Sequence, residues 1–346
     1  MSRFIKKFLR DGRGLFTRET KPGITLAVYG KHPGWDDHIA DFATETESLT
    51  LGKEKLYEEG IAGQINSGDW EELRKMEGAP EFKHHFVWKR GDAFLMGRMW
   101  ASRDGKNRGK YPMIVCVHCM NLPFGWARKR VWKALEAFEA GCKATDSAAR
   151  VKELVAATLA DLKRSVAAYA AEVAQSSQTA DAELDSSGFA GALGGSIGPE
   201  GVLRILYSFE SHLTPYLPRA GALPENGLRA CQIRLPTAGQ GEAALAFWLH
   251  YLEQHLNKEA PILLWMPADE TWLDATVGEP ASREFYILLA PPEVLPVASD
   301  VPYQIPDDFR KDNEELMRQF IKTDHHHESG GPPPISSGPP PLPASH

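Results

Sequence analysis

The sequence predicts an α/β protein of the α+β kind, with a mixed or mostly antiparallel sheet flanked by helices in an α/β/α sandwich-like arrangement. Short apolar runs bounded by Gly, Pro and polar residues recur along the chain, which is typical of buried strands. Longer segments carry apolar residues at steps of three and four, which is typical of amphipathic helices. The two kinds of segment do not alternate regularly, so repeated β-α-β units and a purely parallel sheet are disfavoured.

Nine short segments have the composition of strands. The first has the sequence ITLAVY and ends at Gly30. Three others form a meander, in which Arg90, Gly91 and Asp92 make a tight turn because Gly and Asp are residues that such turns use. The predicted strands cover residues 24–29, 84–89, 93–101, 113–120, 202–209, 231–235, 262–266, 272–275 and 284–289.

Five segments after the N-terminal extension have helical character. The clearest runs from Val151 to Val173, where apolar residues fall at steps of three and four with one neighbouring pair. Asp146 is its predicted N-cap, and Gly141 is placed to end the helix before it. The predicted helices cover residues 46–65, 125–140, 151–173, 240–256 and 307–322.

Changes in composition divide the chain into five parts. A segment rich in Ser, Gly, Ala and Gln predicts a flexible linker or long loop between two α/β halves. A Pro-rich segment at the end predicts a disordered tail with polyproline II character. The parts are a basic N-terminal extension (1–21), an N-terminal α/β half (22–174), the linker (175–201), a C-terminal α/β half (202–324) and a disordered His/Pro-rich tail (325–346).

Charge and the length of the apolar runs limit the classes of partner. The net charge of -7 provides no overall basic field for nucleic acid. No apolar run approaches the ~20 residues of a membrane span. The basic residues 1–21 include Phe4, Ile5, Phe8 and Leu9 at helical spacing, which predicts a short amphipathic helix. This helix either contacts a membrane surface or an acidic partner weakly, or is a frayed extension or a cap of its own domain. Four Cys without zinc-ribbon spacing indicate reduced thiols and a cytoplasmic location.

The loop after the first strand has the densest group of polar and aromatic side chains. These are Lys31, His32, Trp35, Asp36, Asp37 and His38. Because His and Asp are common metal ligands, one hypothesis is a metal-assisted hydrolase that uses residues 32–38. Their spacing matches no metal motif, which favours turn-setting and helix-capping roles for Asp36 and Asp37, with Lys31 and Trp35 offered to a partner. Replacing Asp37 by Ala is then expected to lower stability rather than abolish a reaction.

Other motifs give no catalytic assignment. The strand sequence CVHC places Cys116 and His118 on one face and Cys119 on the other, so buried thiols are the simpler interpretation. The chain contains no Walker-type phosphate loop, no GxSxG and no HExxH. We therefore predict neither enzymatic activity nor a cofactor.

Three stretches resemble the TagF (ImpM) family of type VI secretion-associated proteins. YGKHPGWDDHI (29–39) is similar to the family's opening signature GKLPxxGDF, and SRDGKNRGKYPM (102–113) is similar to its loop SxDxxGRxFPL. ILLWMP (262–267), after a helix containing Phe247 and Trp248, resembles the family's aromatic LWW strand. The matching positions in the first two stretches are Gly30, Lys31, Pro33, Asp37, Ser102, Asp104, Arg108, Tyr111 and Pro112.

The resemblance implies a cytoplasmic accessory protein that has a helix-flanked sheet and no catalytic residues. It implies restraint of type VI secretion system assembly through binding of a forkhead-associated scaffold or another component of the secretion apparatus. Asp36 and Asn107 stand where the family has Gly, and His38 where it has Phe. Two alternatives stay open: an adaptor for a small GTPase or other signalling partner, and the metal-assisted hydrolase.

Overall fold

The computed structural model describes residues 21–39, 45–175, 186–218 and 228–322. Within these residues, seven strands form one sheet with every neighbouring pair antiparallel. The strands are β1 (Gly23–Gly30), β2 (Lys83–Arg90), β3 (Ala93–Trp100), β4 (Met113–Met120), β5 (Cys231–Pro236), β6 (Ile262–Pro267) and β7 (Trp272–Val277). Their spatial order is β1-β4-β3-β2-β6-β7-β5. The predicted α+β class with a mostly antiparallel sheet is confirmed, as are the seven corresponding predicted strands.

Some predictions fall outside the described residues. They are the amphipathic N-terminal helix, the His/Pro-rich tail and the part of the linker at 176–185. No helix within the described ranges is both long and apolar enough to cross a membrane.

Strands from both predicted halves share the sheet. β2 pairs with β6, which places Phe86 opposite Trp265 with ring centroids 4.7 Å apart. Neither side chain has measurable solvent exposure. The halves at 22–174 and 202–324 therefore contribute to one continuous layer.

Helices cover both faces of this layer. They are α1 (Glu47–Gly52), a π-helical stretch (Lys53–Ile61), α2 (Ala62–Ser67), α3 (Asp69–Leu73), α4 (Phe124–Lys143), α5 (Ala148–Gln175), α6 (Ser186–Leu213), α7 (Gly241–His255) and α8 (Asp307–Lys322). Because side chains alternate along a strand, Val115 and Val117 of β4 pack toward α4 to α7, whereas Ile114 and Cys116 pack toward the helices from α1 to α3. The predicted sandwich of helices, sheet and helices is therefore present.

The strand predicted at 202–209 is wrong, because these residues form the second part of α6. The linker predicted at 175–201 is also wrong for residues 186–201, which form the first part of α6 and the start of its second part. The helix has a kink at Gly198, whose φ of +68° favours glycine. In sequence, the apolar residues crowded along the second part resemble a buried strand. In the structure, one face of α6 packs into the core through residues at helical spacing on both sides of the kink. These residues are Phe189, Leu193, Val202, Leu206 and Phe209.

The strand predicted at 284–289 is also wrong. Residues Ser282–Leu288 form a 3-10 helix that packs against the face covered by the π-helical stretch. The Glu284 carboxylate accepts a hydrogen bond from the Ala281 backbone N–H at 2.9 Å, which closes the first turn. The segment is short, apolar and buried, features that a strand and a buried helical turn share.

Two predicted helix ends need correction. α4 continues past Gly141 to Lys143, so this glycine does not end the helix. A Cβ atom at Gly141 would stand 3.0 Å from the Leu154 side chain, so the glycine allows α4 and α5 to approach closely. The N-cap contact of α5 comes from Ser147, whose Oγ accepts from the Arg150 N–H at 3.3 Å, and not from Asp146.

Candidate functional site

The two loops that carry the predicted site residues lie side by side at one edge of the sheet. The first loop (31–38) follows β1, and the second loop (101–112) connects β3 to β4. Since β1 and β4 are antiparallel, Gly30 at the end of β1 stands opposite Met113 at the start of β4. Strand pairing therefore brings together two segments that are far apart in sequence.

Gly30 allows the first loop to leave the sheet. Its φ is +102°, and a Cβ atom there would stand 2.1 Å from the Pro112 carbonyl oxygen. The Lys31 N–H donates to that same carbonyl at 3.1 Å, and the Gly30 carbonyl accepts from the Ile39 N–H at 2.7 Å. Only glycine fits this backbone geometry and close approach.

A buried ion pair joins the loops. The Lys31 ammonium lies 2.7 Å from Oδ2 of Asp104, and the two residues are 3% and 1% exposed. The Lys31 ammonium also lies over the Tyr111 ring, 5.2 Å from its centroid. The interpretation that Lys31 is offered to a partner is therefore wrong, because its charge is satisfied inside the protein.

Asp104 organises the second loop. Its Oδ1 accepts from the backbone N–H groups of Lys106 and Arg108, at 3.0 and 2.9 Å, and its Oδ2 accepts from Arg108 Nε at 2.7 Å. Burial opposes ionisation of this carboxyl, but the hydrogen bonds from Lys31 and Arg108 outweigh that effect and hold its pKa well below the usual range. Asn107 adopts a φ of +61°, a left-handed conformation that Asn tolerates, at a position where the resembling family has Gly.

Arg108 extends the connection to the tip of the first loop. Its guanidinium donates to the Asp36 carbonyl at 2.8 Å and lies 3.3 Å from Oδ1 of Asp37. The Asp37 side chain is 66% exposed, and the His38 backbone N–H followed by Arg108 lowers its pKa. Neither aspartate caps a helix, since the N-cap of α1 is Thr46, so the predicted capping role is wrong.

The histidines of the first loop do not form a metal site. His32 Nδ1 accepts from the Gly34 N–H at 3.0 Å, which leaves Nε2–H to donate to the Cys142 carbonyl at 3.1 Å. His38 Nδ1 lies 2.6 Å from the Tyr57 hydroxyl. Within the ranges that the structure covers, no three His, Cys, Asp or Glu side chains are arranged to hold a metal ion.

The thiols of β4 are buried, as the sequence indicates. Cys116 and Cys119 lie on opposite faces of the sheet, and both are 0% exposed. Burial raises the pKa of Cys116 to about 12, so this group is a thiol at neutral pH.

Other predicted residues support the loop shapes. Trp35 is half-buried, with its ring centroid 5.6 Å from that of His32, and its carbonyl accepts from the Gly105 N–H at 2.7 Å. Pro33 and Ser102 are half-buried, and Pro112 is buried at the end of the second loop.

Sequence reasoning missed the contribution of Tyr57. The π-helical stretch brings its ring into a cluster with His38 and Tyr111, whose centroids lie 5.8 and 6.4 Å from that of Tyr57. The Tyr111 hydroxyl donates to Asn66 Oδ1 at 2.7 Å. The uneven apolar pattern of this helical segment gave no signal for Tyr57, although π-helical turns are frequent at functional sites.

The buried Lys31–Asp104 pair is the base of the two loops, and charged residues lie at their exposed tips. We call the exposed residues Asp36, Asp37, Arg103, Lys106 and Arg108 the two-loop surface. Charges of both signs stand on loops that are fixed from below by Lys31 and Asp104. Such an arrangement suits recognition of another macromolecule, because exposed charges set specificity while a fixed backbone limits the entropy lost on binding.

Replacing Lys31 by Met should loosen the second loop. The substitution leaves the buried Asp104 carboxylate without its shortest inter-loop contact. We expect faster amide hydrogen exchange across residues 102–112 and a lower Tm. Lys110→Met is the matched control, since Lys110 is 63% exposed and pairs with Glu71 outside the base. Equal exchange rates in the two variants would show that the buried pair does not hold the loop.

Comparisons with protein-family models, with curated proteins and with solved structures found no match to this chain.

Proposed function

We propose that the protein is a non-enzymatic regulator that binds a partner protein through the two-loop surface. The observation that carries the proposal is the buried Lys31–Asp104 pair, which joins two loops 73 residues apart into one unit. An ion pair at 3% and 1% exposure is accessible to neither substrate nor solvent. Its effect is therefore to fix the shape of the exposed tips rather than to supply a reactive group.

The positions that resemble the TagF (ImpM) signatures support this proposal because their contacts shape and hold the two loops. Gly30 and Pro112 allow the loops to approach, and Lys31, Asp104 and Arg108 hold them together. The matched residues thus preserve the shape of a surface, which is what a binding module requires. On this basis we propose that the chain restrains type VI secretion system assembly in the cytoplasm by binding a forkhead-associated scaffold or another component of the secretion apparatus.

The alternatives receive less support from the geometry. The ring nitrogens of His32 are both engaged by backbone groups, so the loop does not offer the ligand set that a metal-assisted hydrolase would use. An adaptor for a small GTPase would also bind its partner through an exposed surface. Only the identity of the partner therefore distinguishes this function from regulation of secretion.

Affinity capture from the native host tests the proposal. We expect the tagged full-length chain to recover a forkhead-associated protein or a secretion-apparatus component, identified by mass spectrometry. Recovery of a small GTPase instead would favour the adaptor, and recovery of neither class would contradict both binding roles.

A further inference from the structure

A mainly apolar groove of about 200 Å³ lies between α1 and the sheet. Leu51 and Ala93 in its lining are half-buried, so part of its apolar surface faces solvent. The other apolar residues of the lining are buried, and they are Trp88, Phe94 and Leu95. His118, at the end of β4, also lines the groove, whereas the second loop precedes the beginning of β4. The groove and the two-loop surface are therefore separate, and the inference below does not depend on the proposed function.

The chain enters the sheet beside this groove. Thr25 of β1 is opposite His118 of β4, and His118 is opposite Leu95 of β3. Because neighbouring strands lie about 4.8 Å apart, Thr25 stands about 10 Å from Leu95. β1 begins at Gly23, two residues before Thr25. The N-terminal extension (1–21) therefore joins the sheet at the end where the groove lies.

The sequence of the extension supplies an apolar stripe that can reach the groove. The stripe consists of Phe4, Ile5, Phe8 and Leu9 at helical spacing, and Phe8 is the aromatic residue nearest its middle. An apolar cavity of roughly 150 Å³ can hold benzene, so the groove has room for one phenyl ring. Twelve residues, 9–20, separate Phe8 from the first described residue. A segment of that length spans up to about 40 Å, which exceeds the distance required.

The charges beside the groove are complementary to those of the extension. The extension has seven Lys and Arg residues against two Asp and Glu residues. Glu47 and Asp92 are exposed and directly precede two residues of the lining, Ser48 and Ala93. No residue in the described part of the chain forms an ion pair with either carboxylate. The cation in the lining, Arg90, is already paired with a glutamate, so the groove favours a cationic segment.

We propose that the N-terminal extension folds back over this groove and inserts the Phe8 ring against Leu51 and Leu95, with its cations beside Glu47 and Asp92. The contact removes apolar surface of both the stripe and the groove from water. Because the extension is tethered within reach, its effective concentration at the groove is on the order of millimolar, so a weak contact is sufficient. The stripe is then covered by the protein's own domain and is not offered to a membrane surface or an acidic partner.

Photo-crosslinking of the full-length chain tests the contact directly. With p-azidophenylalanine at position 8, we expect mass spectrometry to map cross-links to residues 47–53 or 88–95. The matched control carries the same group in place of Phe16, which lies outside the stripe, and should not form these cross-links. Ala93→Leu, which adds bulk to the lining of the groove, should abolish the cross-links from position 8. The proposal is overturned if position 8 forms no cross-link to the groove, or if positions 8 and 16 give the same cross-links.

Amide hydrogen exchange of α1 gives a second test. Phe4→Ser/Phe8→Ser should speed exchange across residues 47–52 by about tenfold or more, because α1 loses the apolar cover of the stripe. Leu15→Ser/Phe16→Ser, which removes an apolar pair outside the stripe, should leave this exchange unchanged. Equal exchange in the two double variants would overturn the proposal. If the natural chain then binds vesicles of phosphatidylserine and phosphatidylcholine that Phe4→Ser/Phe8→Ser does not bind, the stripe belongs to a membrane surface instead.

Discussion

Replacing Asp274 by Asn is expected to destabilise the protein by about 3–5 kcal/mol, the usual cost of leaving one member of a buried ion pair uncompensated. Asp274 of β7 is opposite Arg234 of β5, and the two make a bidentate pair with N–O distances of 2.7 and 3.0 Å. They are 2% and 1% exposed. Without the carboxylate, the Arg234 guanidinium would stay buried with a net charge.

Arg234 cannot move to solvent easily, which keeps the expected cost high. Its guanidinium also donates to the carbonyls of Leu295 and Ile287, at 3.0 and 3.3 Å, and stacks 4.7 Å from the Trp272 ring centroid. Urea unfolding measures the loss. The matched control is Asp161→Asn, which removes an exposed partner of Arg164 and should cost about 0.5 kcal/mol or less. Similar losses in the two variants would contradict the importance of burial for this pair.

Acidification from pH 7 to 5 is expected to destabilise the protein through His84 and His85. Burial lowers the pKa of His84 to about 3. Burial, followed by the charge of Arg98, lowers the pKa of His85 to about 4. Arg98 donates to Nε2 of His85 at 2.6 Å, so protonating that nitrogen would bring two cations together.

The direction follows from proton uptake by the unfolded chain. Unfolded His titrates near ~6.5, so below that pH the unfolded state binds more protons and stability falls until the folded pKa is reached. Between pH 6.5 and 5 each residue should contribute about 2 kcal/mol of lost stability. Urea unfolding at pH 7 and 5 measures this loss, and His85→Gln should remove about half of it. A pH dependence that is unchanged in His85→Gln would count against this explanation.

The strands of the sheet could be predicted because the apolar residues in their sequences are the ones that the sheet buries. Short apolar runs such as those of β1 and β4 are flanked by Gly or polar turns, whereas β5 alternates Ile233 and Leu235 with the polar Gln232 and Arg234. The same rule failed at residues 202–209, where Val, Leu and Ile are dense enough to satisfy a strand and a buried helix equally. Packing against α7 and α8 decides for the helix, and this tertiary contact has no local signature.

The site was predicted as two loops but not as one unit. The resemblance drew attention to Gly30, Lys31, Asp104 and Arg108, whereas the sequence alone indicates an exposed Lys31, because lysine is almost never fully buried without a partner. Its partner is 73 residues away, so the pairing follows from the register of β1 and β4. The contribution of Tyr57 depends on a π-helical stretch, which no sequence pattern considered above would reveal.

We propose that the two-loop surface binds a protein partner. The most direct measurement is quantitative capture from the native host by three full-length chains: the natural sequence, Arg103→Glu/Lys106→Glu, and Lys129→Glu/Lys133→Glu. Both double variants reverse two exposed charges, the second pair on α4. We predict that the forkhead-associated or secretion-apparatus component is recovered by the natural chain and the α4 variant but lost from the loop variant. Equal recovery by all three chains would contradict the claim.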